Sequence, residues 1–473
     1  MRFGKISMIA IVLAISLFVF LIAGCSGGGA QNTTVAATTA AVATTAAATT
    51  TAEQAIETTA ETAATSAATA SDTTEAEDQS DANGSTDTIT ILTDADSMPI
   101  TEIAAKIYKE KYGADVEIIS QSYDQTLTKL MTSVMAGASI DVAQIDCIYP
   151  AQFLTNGIVV SLNEYLTDDV RSDLVPAYVE GMSANGQLAG LPYQANGKWL
   201  LYNKEMLQKA GYDSPPKTFD EMFEMGNEMK EQGLCKYTLA WAATQAEGLV
   251  CDWAVVLYAS GGAWKDASGA WCFNDANGVK GLSLLVDSIR NGDADPASPT
   301  YTDRTNLNPF MAGDAPFCIN WSFAYGLSDS DEESRIAGKV GIGLIPSNSP
   351  GLISASVVGG GAYAIASVST HKDSAWKYIV ETVSLEAQEY ALDNQNSMPI
   401  RASMYQNDEI MQKYPYMLDM YPQFEYMITR PEIVQYSEWS NIAQVALQEA
   451  VTGVKSVEQV LNELQAATVE KQY

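Results

Sequence analysis

The stretch LPYQANGKWLLYNKEML, residues 191–207, decides how the chain is organised. Pro192 biases the residue before it toward extended backbone. The apolar, aromatic run Trp199–Tyr202 is typical of a short buried strand. Asn203 is able to cap the helix that is predicted to follow. An extended segment, a buried strand and a helix are therefore expected in this order.

Polar residues lie between the two apolar parts of this stretch. They are Gln194 and Asn196, followed by Gly197, which we interpret as a flexible point. A strand that carries polar groups between aromatic residues near the middle of a long chain suits a crossover beside a cleft. An ordinary core strand with a surface turn is the alternative, because short apolar runs are ambiguous.

Length and charge narrow the class of protein. A chain of 473 residues is too long for one compact core, so two lobes are expected, and 47% hydrophobic residues permit sizeable cores. The net charge is −32 and basic residues are not clustered. This pattern argues against nucleic acid and against anionic membrane surfaces as partners. It also disfavours a strongly anionic ligand.

The N-terminus predicts export. Arg2 and Lys5 precede the apolar run Ile6–Ile22, and a small Ala-Gly pair stands directly before Cys25. A transmembrane anchor is the alternative, but the small residues favour cleavage. The pattern resembles a bacterial lipobox, so residues 1–24 are predicted to be a lipoprotein signal peptide. Cys25 would then be the lipid-modified first residue.

The next segment, residues 25–88, is rich in Thr and Ala and almost lacks large apolar residues. Such a composition cannot bury a core. We predict a lipid-anchored disordered stalk that holds the folded part away from the envelope.

Histidine and cysteine usage excludes several kinds of site. The one histidine, His371, rules out multi-histidine metal sites and makes a catalytic triad improbable. None of the six cysteines stands in a metal-ligand spacing. An extracellular setting permits disulfides, which the spacing does not assign, and buried free thiols are expected for most cysteines.

The folded part begins with alternating strands and helices. Strands are predicted at Ile89–Leu92, Asp115–Ile119 and Asp141–Ile145, with helices at Ile100–Tyr112 and Tyr123–Met135. This order predicts parallel pairing with right-handed crossovers. In such sheets ligands bind at the carboxyl ends of strands.

The later part of the chain predicts a second lobe and a return. Ser354–Ala366 reads as a strand interrupted by three glycines, which we interpret as a second crossover. We therefore assign residues 89–196 plus about 354–400 to the first lobe. The second lobe and the C-terminal helices take residues 197–353 plus about 401–473.

Several motifs together resemble one known family, and the resemblance covers Ile89–Ala467. The chain is similar to the extracellular solute-binding lipoproteins of ATP-binding-cassette sugar importers, and within them to the trehalose/maltose-binding branch. The motifs that carry this likeness are Asp141–Asp146, Ala151–Phe153 with Gly157, Leu191–Tyr193, Leu201–Lys204, Pro216–Glu221, Glu247–Cys251, Asn320-Trp321 and Arg430-Pro431.

The resemblance implies an α/β, two-lobed periplasmic-binding-protein-like fold. Its sheets would be mixed and mostly parallel, flanked by helices, with a cleft between the lobes. A sugar, expected to be a di- or oligosaccharide, would bind there, and the lobes would close on it by a hinge motion. A monomeric, lipid-anchored receptor would then deliver this carbohydrate to membrane permease subunits. Neither a cofactor nor catalytic residues are implied.

The resemblance also implies binding residues by positional match. Asp146 and Asn196 would bind hydroxyls, and Trp321, Phe323 and Tyr325 would form the aromatic cluster that stacks on the sugar. The remaining candidates are aromatic residues, acids and hinge glycines, namely Tyr149, Tyr193, Trp199, Trp241, Glu247, Asp94, Asp96, Gly360 and Gly361. Aromatic faces cover the C–H faces of a sugar, and charged or amide groups fix its hydroxyls. For each aromatic the alternative is a place in a lobe core.

Two positions depart from the branch's pattern. Gly361 stands where the branch tends to have tryptophan, and Asn196 stands where it often has an acid. A stacking platform is therefore missing. A different disaccharide, a bulkier oligosaccharide or a polyol is expected to fit the vacated space.

Two other functions fit the same chain. A surface glycoside hydrolase would need paired carboxylates across a cleft, and Asp331–Glu333 is more simply a solvated charge run. An adhesin or a sugar sensor would keep the same fold.

Overall fold

The computed structural model describes residues 88–473, and the predicted signal peptide, Cys25 and almost all of the stalk lie outside them. Two five-stranded mixed sheets carry the architecture, each covered by helices. We call the part built on the first sheet the first lobe, and the part built on the second sheet the second lobe.

The strands are β1 Ile89–Asp94, β2 Val116–Gln121, β3 Val142–Asp146, β4 Ser183–Ala184, β5 Gln187–Leu188, β6 Leu191–Pro192, β7 Asn196–Asn203, β8 Phe317–Trp321, β9 Val340–Gly343, β10 Ser356–Gly359, β11 Gly361–Ile365 and β12 Met427–Ile428.

The helices are α1 Met98–Tyr112, α2 Tyr123–Ala136, α3 Pro150–Thr155, α4 Asp168–Ser172, α5 Pro176–Gly181, α6 Lys204–Ala210, α7 Phe219–Glu231, α8 Glu247–Ala259, α9 Ala276–Asn291, α10 Asn308–Met311, α11 Phe323–Ser328, α12 Lys372–Thr382, α13 Leu385–Gln395, α14 Asp408–Lys413, α15 Tyr416–Met420, α16 Tyr436–Val451 and α17 Val457–Glu470. Short 3-10 helices lie at Ser298–Thr300, Ala402–Gln406 and Tyr421–Tyr426. Within residues 88–473, each helix is too short or too polar to span a bilayer.

The first sheet has the order β2-β1-β3-β11-β6. β1 pairs in parallel with β2 and with β3, which confirms the parallel pairing predicted for the first three strands of the folded part. The carboxyl ends of β1 and β3 therefore lie at the same edge. β11 returns antiparallel to β3, with Gly361 opposite Asp146. The return places the second crossover beside that edge.

The second sheet has the order β12-β10-β7-β8, and β9 also pairs with β7. Its pairs with β7 are all antiparallel, and only the short β10–β12 pair is parallel among the described strands of this sheet. The sheets are mixed, as predicted, but neither is mostly parallel: two of the four strand pairs in the first sheet are antiparallel, and the second sheet is mainly antiparallel. The reason is that β7 and β10 cross between the lobes in opposite directions.

Strand β7 is longer than predicted, because it begins at Asn196 and includes Gly197. Gly197 is not a flexible point. A Cβ there would lie 2.5 Å from the Met427 methyl carbon and 3.1 Å from the Val357 carbonyl oxygen. Close packing of Met427 and Val357 around this position favours glycine there.

The predicted lobe boundaries differ from the sheet boundaries at two places. β10 belongs to the second sheet, so the return crossing comes at Gly360 instead of near residue 354. Apolar residues between 401 and 424, among them Met404 and Phe424, join the first core cluster.

Two hydrophobic cores meet on β7. Trp199 and Leu201 belong to the first core cluster, while Leu200 between them belongs to the second. This alternation follows from the two-residue period of a strand. The interpretation of Trp199–Tyr202 as a buried strand is confirmed, and Asn203 accepts a hydrogen bond from the Met206 N–H as the helix cap.

An aromatic cluster fills the second lobe under α8 and α16. Trp253 is fully buried and lies 4.9 Å from Trp264, 5.3 Å from Phe273 and 6.4 Å from Trp439 between ring centroids. Its indole N–H finds no hydrogen-bond partner among the described residues. The ring therefore contributes through packing alone.

We expect Trp253→Ala to lower the free energy of unfolding by about 3–5 kcal/mol, since it leaves a large cavity. Trp253→Phe keeps an aromatic ring and leaves a smaller cavity, so it should cost less. Denaturant unfolding of the two variants and the wild type measures both. Equal losses in the two variants would contradict this account of the cluster.

Candidate functional site

A cavity of about 360 Å³ lies where the two lobes face each other. Its walls come from the strand ends of the first sheet, from the crossing strands and from two segments of the second lobe. The lining residues are Asp94, Asp96, Ser97, Tyr123, Gln144, Asp146, Tyr193, Gln194, Asn196, Arg304, Ser322, Phe323, Gly360, Gly361, Gln395, Asn396 and Ser397. The volume falls in the range of small-molecule sites.

The end of β1 supplies one wall. The Asp94 carboxylate accepts a hydrogen bond from the Ser97 N–H at 2.7 Å, and the Ser97 hydroxyl lies 2.7 Å from the Tyr193 hydroxyl. Burial raises the pKa of Asp94, the Ser97 hydrogen bonds oppose that shift, and the negative charges of Asp96 and Asp146 add to it. The hydrogen bonds to the Asp94 carboxylate therefore do not fully offset the cost of burying its charge.

The end of β3 supplies the second carboxylate. Asp146 accepts hydrogen bonds from the Tyr123 hydroxyl at 3.0 Å and the Ile148 N–H at 3.1 Å. The guanidinium of Arg430, which is 7% exposed, lies 3.6 Å away. These three contacts hold the carboxylate in place and leave 17% of the side chain exposed.

The second lobe faces these acids with neutral and cationic groups. The Asn196 side-chain oxygen accepts a hydrogen bond from the Ser322 hydroxyl at 2.8 Å. This fixes the orientation of the amide, whose NH₂ group remains a donor. The Phe323 ring, which also lines the cavity, carries the Arg304 guanidinium at 4.8 Å from its centroid.

The backbone of the return crossing forms the floor. Gly360 has φ +96°, a conformation that favours glycine. A Cβ on Gly361 would lie 2.7 Å from the Gln144 amide nitrogen and 2.8 Å from the Tyr193 ring. The prediction that the missing tryptophan leaves a vacant space is therefore wrong at this point, because Gln144 and Tyr193 occupy it.

The structure brings together eight of the residues predicted from sequence. Six carry side chains and two contribute backbone: Asp94, Asp96, Asp146, Tyr193, Asn196, Phe323, Gly360 and Gly361. Trp321 and Tyr325 lie close to Phe323 in sequence but are not among the lining residues. Tyr149, Trp199, Trp241 and Glu247 are likewise placed elsewhere.

Trp321 packs against the hinge. A Cβ on Gly359 would lie 2.5 Å from its ring, and the buried Lys198 ammonium lies 5.0 Å from its ring centroid. The Lys198 ammonium also donates to the Asp303 carboxylate at 2.9 Å and to Asp252. Although burial opposes its charge, these two carboxylates raise the pKa of Lys198. Trp321 thus covers a buried ion cluster beside the cavity.

The other predicted aromatics have partners of their own. Trp241 is buried in the second core, where its N–H donates to the Ser288 hydroxyl at 2.9 Å. Trp199 donates to the Met420 carbonyl at 2.9 Å. Tyr149 stacks on Phe153 with ring centroids 5.2 Å apart, and Tyr325 packs on Tyr416 at 4.6 Å.

Glu247 is engaged behind the cavity. It accepts hydrogen bonds from Arg430 at 2.8 Å, from the Tyr436 hydroxyl at 2.6 Å and from the Ser440 hydroxyl. Arg430 also donates to the Cys147 sulfur at 2.8 Å. Because Cys147 follows β3 and Glu247 begins α8, this arginine links the two lobes.

Sequence reasoning missed about half of the lining. Gln144 is two residues before Asp146 on the same strand, and Ser97 follows Asp94 and Asp96, so the strand-end rule could have found both. Arg304 and Gln395–Ser397 carried no signal, because they reach the cavity through long-range packing.

Residues 88–473 form neither a metal-binding cluster nor a disulfide. Across residues 88–473, no group of three or more His, Cys, Asp or Glu is placed to hold a metal ion. The cysteines of this part of the chain are free, namely Cys147, Cys235, Cys251, Cys272 and Cys318. The arrangement offers hydrogen-bond acceptors, donors and an aromatic ring to a neutral polar ligand.

Asp94 predicts a pH-dependent stability difference. Its folded-state pKa is raised, so its ionised form lowers stability as the pH rises above the ordinary value of 3.8. Asp94→Asn removes the charge and keeps an acceptor for Ser97. We expect a higher Tm than wild type at pH 7, with the gain vanishing below about pH 4.

Calorimetric scans across this pH range measure the effect. Asp331→Asn, the same charge change at an exposed position, should show no such pH-dependent gain. Equal Tm values for Asp94→Asn and wild type at pH 7 would refute the account of Asp94.

Comparisons with known proteins agree with this fold. A family model for bacterial extracellular solute-binding proteins matches residues 103–418. A probable ABC transporter-binding protein of Deinococcus radiodurans is 26% identical over 361 residues, covering 74% of this chain and 84% of the relative. The structure of maltose-bound T. maritima MalE3 is 27% identical, with a TM-score of 0.71, and covers 80% of this chain and 98% of that one. A solute-binding protein of Thermotoga lettingae solved with α-D-tagatose has 24% identity and a TM-score of 0.69 over 81% of this chain and 98% of that one, and shares the fold. The chain belongs to the family of bacterial extracellular solute-binding proteins.

Proposed function

We propose that this chain is an extracytoplasmic receptor that binds a sugar between its lobes and delivers it intact to the permease of an ATP-binding-cassette importer. The observation that carries the proposal is the cavity itself, with walls of both lobes and a lining of carboxylates, amides and hydroxyls. The relative solved with maltose supports this ligand class.

The lining chemistry suits an uncharged polyhydroxy ligand. Sugar hydroxyls both donate and accept, and the wall offers Asp94 and Asp146 as acceptors and Asn196 as a donor. Hydrogen bonds to charged groups contribute about 1.5–3 kcal/mol each, so a few of them give useful affinity. An anionic ligand would meet three carboxylates and only one lining arginine.

Contacts from both lobes allow the sugar to shift the equilibrium between the open and closed conformations. A ligand shifts an open–closed equilibrium only if it binds the closed form more tightly. A sugar that touches Asp146 on one side and Phe323 on the other satisfies this condition. The closed, loaded form is then what the permease subunits receive, and this chain changes no bond of the sugar.

A ligand screen tests the proposal. We expect at least one of maltose, maltotriose, D-tagatose and ribitol to raise the Tm of the protein, as binding to the folded state requires. Chromatography of the same mixtures should show no new product. Release of smaller sugars would favour a glycoside hydrolase, and no thermal shift with any sugar would contradict the receptor.

Asp146 is expected to contribute strongly to affinity. Asp146→Ala should weaken binding of the best sugar about tenfold or more, since the loss of one charged hydrogen bond exceeds about 1.4 kcal/mol. Titration calorimetry measures this. Trp241→Phe, a change inside the second core, is the control and should leave affinity unaltered. Unchanged affinity in Asp146→Ala would show that the sugar does not bind at Asp146.

The anchor is part of the proposal. The residues around Cys25 support lipid attachment there, with the Thr/Ala-rich segment as the tether. A single residue that carries more than one acyl chain is enough to keep the folded part at a membrane. We expect Cys25→Ser to shift the protein from the membrane fraction to the soluble fraction in cell fractionation, without changing sugar affinity. Retention in the membrane fraction of a variant from which the apolar segment Ile6–Ile22 has been removed would contradict a lipid anchor at this cysteine.

A further inference from the structure

Arg304 reaches the cavity from the second lobe, in the segment between a short 3-10 helix and α10. Its guanidinium lies over the Phe323 ring at 4.8 Å and its terminal nitrogen lies 3.7 Å from the Asp96 carboxylate. Asp96 follows β1 in the first lobe. The pair therefore spans the cavity from one lobe to the other.

The segment that carries Arg304 is held firmly. The side chain of Asp303 accepts a hydrogen bond from the buried Lys198, and its carbonyl accepts one from the Asn320 side chain at 2.8 Å. The same Asn320 side chain donates to Asn306 at 2.7 Å. Residues on both sides of Arg304 are thus fixed to β7 and β8.

The Phe323 ring beneath Arg304 also attracts its guanidinium, which lies 4.8 Å from the ring centroid. A cation over an aromatic face is attracted by the ring. A planar guanidinium presents its donors in a fixed direction, unlike a flexible ammonium. The held backbone and the ring together favour a position of the guanidinium over Phe323 before a ligand arrives.

The Arg304–Asp96 pair cannot by itself hold the lobes together. The two side chains are 64% and 86% exposed, and ion pairs at such positions contribute little because water and salt screen them. Both groups also keep free hydrogen-bonding capacity, since the guanidinium has five N–H donors and a carboxylate accepts several bonds. They are accessible to a ligand in the cavity that they line.

We propose that Arg304 and Asp96 together form a subsite for one end of the sugar, a pair of adjacent hydroxyls that bridges the two lobes. One hydroxyl accepts from the Arg304 guanidinium and its neighbour donates to the Asp96 carboxylate. This inference rests on the proposed function and narrows it to uncharged sugars or polyols with a free vicinal diol at that end. Bound there, the diol replaces a weak direct contact by two charged hydrogen bonds and favours the closed form.

Titration calorimetry of the full chain tests this subsite, with whichever of maltose, maltotriose, D-tagatose and ribitol stabilises the wild type most. The variants are Arg304→Ala, Arg304→Lys, Asp96→Asn and the Arg304→Ala/Asp96→Asn double variant. Arg335→Ala removes the same charge at an exposed position outside the lining and serves as the control. The Tm of each variant without sugar is measured in parallel.

We expect Arg304→Ala and Asp96→Asn each to weaken binding about tenfold, as loss of a charged hydrogen bond does. The sugar affinity of Arg304→Lys should lie between those of the wild type and Arg304→Ala, because lysine keeps the charge and loses the planar donors. The double variant should bind sugar no more than about twofold more weakly than the single variant of lower affinity. The reason is that either single substitution already disrupts binding of the same diol. The Tm without sugar and the affinity of Arg335→Ala should stay at wild-type values.

Two results would overturn the subsite while leaving the receptor intact. One is wild-type sugar affinity in both single variants. The other is a double variant weakened by the product of the two single losses, which would mean that the two residues act on separate parts of the ligand. If the wild type binds none of the four sugars, the proposed function fails and the subsite fails with it.

Discussion

The Lys198 ammonium is buried at the point where the chain crosses between the lobes, and its charge constrains everything around it. Removing an ammonium from water costs several kcal/mol, and only close carboxylates offset that cost. Asp252 on α8 and Asp303 before α10 meet this need, so a helix and a loop of the second lobe are fixed to β7. Trp321 covers the same ammonium. Loss of one partner would leave an unpaired buried charge, which is far more harmful than loss of an exposed pair.

This constraint gives the binding cavity one rigid wall. The loop fixed by Asp303 carries Arg304, and the strand that ends in Trp321 continues into Ser322 and Phe323. The facing wall is fixed by parallel strands whose ends carry Asp94 and Asp146. Because the two preformed walls belong to separate lobes, a small ligand that contacts both of them favours one relative position of the lobes. Relatives solved with different sugars keep this fold.

Sequence reasoning succeeded where local patterns decide the outcome. The order of β1, α1, β2, α2 and β3, the capping of α6 by Asn203 and the strand-end position of Asp146 all follow from periodicity and turn chemistry. The two-lobed architecture and the family are confirmed.

The failures have a common physical cause. An aromatic residue near a strand end can face the cavity or the interior, and only tertiary packing decides which. Phe323 faces the cavity while Trp321, two residues earlier, covers Gly359. Likewise Gly197 and Gly361 looked like points of flexibility or empty space, yet neighbouring side chains fill the room that they leave. Arg304 was missed because its position depends on partners more than a hundred residues away, such as Lys198.

The contact between Gly359 and Trp321 has an evolutionary consequence. A Cβ at position 359 would stand 2.5 Å from the indole, so the ring and a side chain there exclude each other. A larger residue at position 359 therefore requires that the indole at position 321 move or be replaced by a smaller side chain. Substitutions at these two positions, 38 residues apart in the sequence, are expected to be coupled, because the shared space admits one bulky group at a time.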